Sequence, residues 1–202
     1  MADIALDALQ VGMLQPTSGT RNSLPISLAE GPAAADVWIE NNLGLALLVH
    51  RRSDGLVPEE LYHSVLNSNG NWLQCEHLGG AILGFDIEVP AAIEDVLAGA
   101  PMAVLSESES LIYTGRNDAE EEGYESTRAV TVLVGSKVDL IEIEDLSQVI
   151  TVRSGRFTTD VKSPLMLLVL RPGQKLRVSA LRHEGSSLVR IGSAMKLFFA
   201  ER

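Results

Sequence analysis

The sequence predicts an all-β protein, mainly strands with one or two short helices, arranged as a β-meander followed by a β-sandwich. Three observations carry that expectation. First, short apolar or alternating runs recur from Leu43 to Phe199, and Gly135, Gly155, Gly173 and Gly185 punctuate the second half. Second, Leu165 to Leu170 is a continuous apolar run that stops at Arg171-Pro172-Gly173. Leu176, Val178 and Ala180 then alternate with Lys175, Arg177 and Ser179, which reads as a buried strand, a tight turn and a half-buried strand. Third, helix signals are sparse and centre on Pro90 to Gly99.

In chain order, residues 1–36 read as an N-terminal arm, because Ile4, Leu6, Leu9, Val11 and Met13 fit neither strand nor helix period and Gln15 to Ser23 is polar and loop-like. A β-meander is expected over 37–114. Its strands are Asp36 to Glu40, Leu43 to Arg51, Glu59 to Leu66 and Trp72 to Leu78. Ser53-Asp54-Gly55 and Asn67 to Asn71 serve as turns, and Gly79-Gly80 marks the end. Pro58-Glu59-Glu60 would also suit a first helical turn, but the strand is preferred because Trp72 to Leu78 offers a partner across the turn.

A short helix near 91–98 follows, with Ile93, Val96 and Leu97 on one face. Met102 to Leu105 and Leu111 to Tyr113 read as a hairpin with Glu107 and Glu109 at its solvated tip. Residues 115–127 form an acidic loop and the boundary between halves. The β-sandwich is expected over 128–202, with strands at Val130 to Val134, Val138 to Ile143, Val149 to Arg153, Leu165 to Leu170, Lys175 to Leu181 and Leu188 to Phe199.

The 202 residues are 46% hydrophobic and 21% charged, as in ordinary soluble globular proteins, so disorder is not the default. No apolar run approaches the ~18 residues of a membrane-spanning helix, and the acidic N-terminus lacks the pattern of a secretory signal. The expectation is a protein of the cytoplasm, or of a virion assembled there, with no membrane partner. Cys75 is the single cysteine, so no internal disulfide can form.

A net charge of -11 argues against nucleic acid as a partner, since phosphates repel a carboxylate-rich surface. The charge is unevenly placed. Residues 1–127 hold 4 basic and 20 acidic side chains, whereas residues 128–202 hold 12 basic and 7 acidic ones. That division suggests a protein partner, or self-association through the acidic and basic halves.

Several local patterns resemble known families. Arg52-Ser-Asp-Gly55, Leu61-Tyr62-His63, Asn69-Gly70-Asn71-Trp72 and Leu78-Gly79-Gly80, echoed by Leu111-Ile-Tyr113, resemble one repeat of a lectin-like β-propeller blade. A closed propeller needs several blades, so the resemblance implies a β-meander over about 45–114 and does not carry sugar binding with it. Val149 to Phe157 followed by Val178 to Gly185 resembles small immunoglobulin-like modules of uncharacterised bacterial proteins, which implies a sandwich over about 128–199. Leu170 to Ala180 with Asn22-Ser-Leu24 resembles part of the α-like assembly subunits of RNA polymerase, but Pro25 and Ile26 stand where those families place two arginines.

The nearest approach to a metal site is His50, His63, Cys75 and His77. Cys75 and His77 would share a strand face, and imidazole with thiolate suits zinc, the one cofactor considered. Their spacing matches no ordinary zinc signature, and ordinary packing or surface exposure is the preferred account, with no cofactor expected. Tyr62 and Trp72 are candidate binding residues for a carbohydrate, provided their rings are exposed.

The carboxylates from Glu107 to Glu125 lack the register of a calcium loop. No nucleophile elbow, HExxH pair or phosphate loop is present. The expected function is therefore a non-enzymatic β-rich binding or assembly protein. A metal-dependent hydrolase built on the His/Cys group and a carbohydrate-binding module are the alternatives.

Overall fold

The computed structural model describes residues 1–13, 26–116, 122–147 and 155–200. These form an all-β architecture of three antiparallel sheets flanked by two helices, stacked as layers. The first sheet is a meander of β1 (Ala33–Glu40), β2 (Leu43–Val49), β3 (Val57–Val65) and β4 (Glu76–Leu83), in that order.

The middle sheet has the order β5-β6-β9, from β5 (Met102–Tyr113), β6 (Tyr124–Val134) and β9 (Leu165–Leu170). The third runs β11-β10-β7-β8, from β7 (Leu140–Asp145), β8 (Arg156–Asp160), β10 (Lys175–Glu184) and β11 (Ser187–Phe198). Helix α1 (Ala2–Met13) covers the outer face of the first sheet, and α2 (Pro90–Leu97) lies at the interface of the first two. No helix among the described residues is long and apolar enough to cross a membrane.

Alternation along each strand assigns its side chains to a layer. Leu43, Leu45, Leu47 and Val49 of β2 face Leu133, Leu165 and Leu167 of the middle sheet, and Ile93 and Leu97 of α2 join this core. Val130, Val132, Met166, Leu168 and Leu170 point the other way, onto Ile141, Val178 and Leu197 of the third sheet. Because the middle sheet is covered on both sides, all six residues of β9 are buried, which explains its unbroken apolar run. The turn at Arg171-Pro172-Gly173 does not pair β9 with β10. It carries the chain from the middle sheet to the third, where β10 pairs with β7 and β11.

Several local expectations need correction. The N-terminal arm includes a helix. Its buried residues are Ala5, Ala8, Leu9 and Gly12, a helical spacing written largely in small side chains. Gly44 lets the helix approach, since a Cβ there would lie 2.6 Å from Leu9 Cδ2 and 2.8 Å from Trp72 Cη2.

Strand β4 begins at Glu76 instead of Trp72, and Gly79 and Gly80 lie inside it, opposite Leu61 and Glu60. The expected hairpin over Met102 to Tyr113 is one continuous strand with a bulge between Val104 and Ser106. Glu107 and Glu109 are therefore mid-strand. Strand β6 starts at Tyr124, within the expected acidic loop, and pairs with β5 directly. Residues 117–121 of that loop, the expected strand at Val149 to Arg153 and the polar stretch Gln15 to Ser23 lie outside the described residues.

At one side the first and middle sheets meet corner to corner, where β1 packs against β9. A bulge between Ala34 and Asp36 turns the Asp36 side chain into this corner. Asp36 is fully buried. Its Oδ2 accepts from the Leu167 N–H at 2.8 Å and its Oδ1 from the Val37 N–H at 3.0 Å. The carboxylate thus satisfies an edge donor of β9 that no further strand among the described residues reaches.

Nearby, Arg171 spans the two halves of the sequence, holding Glu40 at 3.3 Å and also the carboxylate of Glu125, with its guanidinium over the Trp38 ring. Asp36→Ala should strip these acceptors and lower stability by about 1–3 kcal/mol, the cost of orphaning a buried donor. The denaturation midpoint should fall at unchanged m-value. A midpoint equal to wild type would show that the corner is closed by other contacts.

Candidate functional site

The layers close at β1 and β9 but diverge at the opposite side, where β4 and β5 are the edge strands of their sheets. Between them lies a cleft of about 300 Å³. Its floor is Leu47, Leu61 and Ala129. One wall is the Gly79-Gly80-Ala81 backbone of β4, and the other is Ser106, Glu107 and Ser108 of β5 with Thr131 of β6 behind them. Glycine is required at the first wall. Gly79 has φ +155°, and a Cβ on Gly80 would lie 2.3 Å from the Glu59 carbonyl oxygen.

Glu59 is the chemical centre of this cleft. Strand alternation places it between Val57 and Leu61 on the inward face of β3, and it is only 2% exposed. The Ser106 hydroxyl donates to its Oε1, the Thr131 hydroxyl stands beside the carboxyl, and Oε2 has no hydrogen-bond partner. Burial raises the pKa of the carboxyl above the ordinary value, and the two hydroxyls oppose that shift without cancelling it. A buried carboxyl oxygen facing a cavity and lacking a donor is costly to maintain.

The residues singled out in the sequence fall elsewhere. Tyr62, two residues beyond Glu60 on β3, points to the outer face beneath α1, where it is 8% exposed. Its hydroxyl donates to Glu60 Oε2 at 2.8 Å, while His50 Nε2 meets Glu60 Oε1 at 3.1 Å. Desolvation pushes the Glu60 carboxyl up, but the Tyr62 hydroxyl and His50 outweigh it, and its pKa is lowered. Burial, followed by the nearby Glu60 carboxylate, pushes the Tyr62 hydroxyl up to about 12. The ring of His77 lies 5.0 Å from that of Tyr62, at 54°.

Cys75 is buried in the same outer cluster, and its thiol is pushed up to about 11, chiefly by desolvation. His63 occupies the opposite face of β3, paired with Leu45 of the inner core, and its pKa is lowered by burial. The four proposed metal ligands are thus divided between two faces of one sheet. Among the described residues no group of three or more His, Cys, Asp or Glu side chains is placed to hold a metal ion.

Trp72 is half-buried against Leu9 and Gly44 and forms an isolated bridge with Leu66, so its ring packs against the helix and sheet. Tyr62 and Trp72 therefore serve the packing of α1 in this structure.

The sequence did carry a signal for the cleft. Ser106-Glu-Ser-Glu-Ser110 alternates strictly, as a strand does, with its serines facing inward and its glutamates outward. Without apolar residues on either face it resembled a turn.

Two outcomes are expected from this geometry. Because the folded pKa of Glu59 is raised, the native state holds that proton over a pH range in which the unfolded chain has released it. Stability should therefore fall as pH rises from the unfolded value through the folded one. Glu59→Gln should lack this component of the slope in denaturant titrations at stepped pH, and identical slopes would contradict the burial effect. Separately, Cys75 should resist a thiol-specific disulfide reagent at pH 8 in the folded protein and react rapidly once unfolded. Fast reaction in native buffer would place the thiol at the surface.

Comparison with known proteins adds no relative: no family model matches the chain, and no curated protein or solved structure is significantly similar to it.

Proposed function

We propose that the chain is a non-enzymatic binding protein whose cleft between β4 and β5 receives a small organic ligand. The observation that carries this reading is the Glu59 carboxyl, buried, aimed into a cavity and left with one oxygen unpartnered. The cavity stands at the lower end of the size range of small-molecule sites, and its apolar floor with a few convergent polar groups matches their usual composition.

A binding role accounts for these groups better than acid/base chemistry. Such chemistry uses two titratable groups with separated roles. Here the other carboxylate of the cleft, Glu107, is held by Arg128. The Ser106 hydroxyl is engaged with Glu59 as a hydrogen-bond donor.

The division of charge along the sequence is drawn on within the chain. Arg128 pairs with Glu107, and Arg171 with Glu40 and Glu125, each joining the basic half to the acidic one. This favours the binding reading over association through opposite charges.

A panel of small organic fragments, followed by amide chemical shifts of the whole protein, tests the proposal. Ligands should concentrate their perturbations at Gly79, Gly80, Ala81 and Ser106 and saturate there. Shifts scattered over the surface, or none at all, would remove the cleft as a binding site.

A further inference from the structure

We propose that the ligand of the Glu59 cleft is a small alkylammonium, its charged head on Glu59 Oε2 and its carbon chain over Leu47, Leu61 and Ala129. The inference rests on the binding reading above and adds the chemical class of the occupant.

Charge comes first. Among the described residues no Lys, Arg or His lines the cleft, whereas Glu59 and Glu107 do. An anion would meet the buried Glu59 carboxyl with no countercharge from the residues that line the cleft. A cation meets one carboxyl that is already desolvated, so the attraction acts with little screening. Glu107 is occupied by Arg128, which leaves the inner carboxyl as the acceptor.

Geometry selects the ammonium among cations. The acceptor left without a donor is one oxygen, Oε2, whereas Oε1 is shared with the Ser106 hydroxyl. A guanidinium presents a planar fork suited to both oxygens of a carboxylate, and half of that fork would go unmatched. An ammonium is a compact donor that needs one strong acceptor along each N–H. Oε2 supplies the first, and Ser108, Thr131 and Gly79-Gly80 border the same space. The floor of leucines and alanine then removes a short alkyl chain from water.

Binding also completes the site. Ionised Glu59 gains the donor its second oxygen lacks, and the ammonium exchanges its water shell for a charge-assisted hydrogen bond. If Glu59 is protonated in the free protein, uptake of the cation releases that proton, and affinity rises with pH across its titration.

Three probes of matched shape decide the matter: n-propylammonium, 1-propanol and propionate, each titrated into the full chain and followed at the amides of Gly79, Gly80 and Ser106. The expected result is saturable shifts with propylammonium, at least about tenfold tighter than with 1-propanol, and none with propionate. Glu59→Gln should abolish that tenfold preference, with circular dichroism showing that the variant is folded. If it does not fold, the wild-type probe series decides alone.

Equal binding of 1-propanol and propylammonium would overturn the ammonium assignment and leave the cleft a binding site. Tighter binding of propionate would do the same. No perturbation by any probe would overturn this inference and count against the binding reading as well.

Discussion

Burial of the middle sheet on both faces is the constraint on which the remaining layers depend. Strands β6 and β9 present Leu133, Leu165 and Leu167 to one side and Val132, Met166 and Leu168 to the other. A sheet of three strands with two apolar faces cannot stand alone in water, because each face exposes surface worth roughly 25 cal/mol per Å² once buried. The meander must cover one side and the third sheet the other. Each cover must in turn present its own apolar residues inward, which β2 does with alternate leucines and β10 with Leu176, Val178 and Ala180.

Stacked sheets still have edges, and the interface of the first and middle sheets is not closed in the same way at its two sides. At β1 and β9 the gap is narrow enough for one buried carboxylate, Asp36, to bridge backbone to backbone. At β4 and β5 the edges stand apart, and Glu59 occupies a comparable inward position on β3 with a cavity beside it. The two acidic residues differ in the donors they meet. Asp36 receives a backbone N–H on each oxygen, whereas Glu59 receives the Ser106 hydroxyl at Oε1 and no donor among the described residues at Oε2. The first is a closure, and the second is the feature that gives the cleft its chemistry.

Fold class was legible because strand periodicity is local. The Asn67 turn illustrates this, since Asn67 Oδ1 accepts from the N–H groups of Asn69 and Asn71 as its sequence implies. Helix α1 was not legible because its buried face is Ala5, Ala8 and Gly12 with a single leucine, while Val11 and Met13, which drew attention, are exposed. Close packing of helix on sheet selects small residues, and a search for large apolar ones passes over them.

The cleft was hidden for a different reason. Glu59 and Ser106 are 47 residues apart, and only the stacking of two sheets brings them together. Conversely, His63 and Tyr62 are neighbours in sequence yet belong to opposite faces, so proximity along the chain misled the search for a shared site. The pairing of Arg171 with Glu40, across 131 positions, was equally beyond reach of any local pattern.

The glycine wall gives the cleft an asymmetry in how it can change. Its β4 side is main chain, fixed by the clash that any side chain at position 80 would make with the β3 backbone. Ser106 and Ser108 on the β5 side are under no such steric rule, although the Ser106 hydroxyl is tied to Glu59. Substitution can therefore reshape the site from one wall only. A family of variants differing at Ser108 would share a rigid rim and a common carboxyl while admitting head groups of different size.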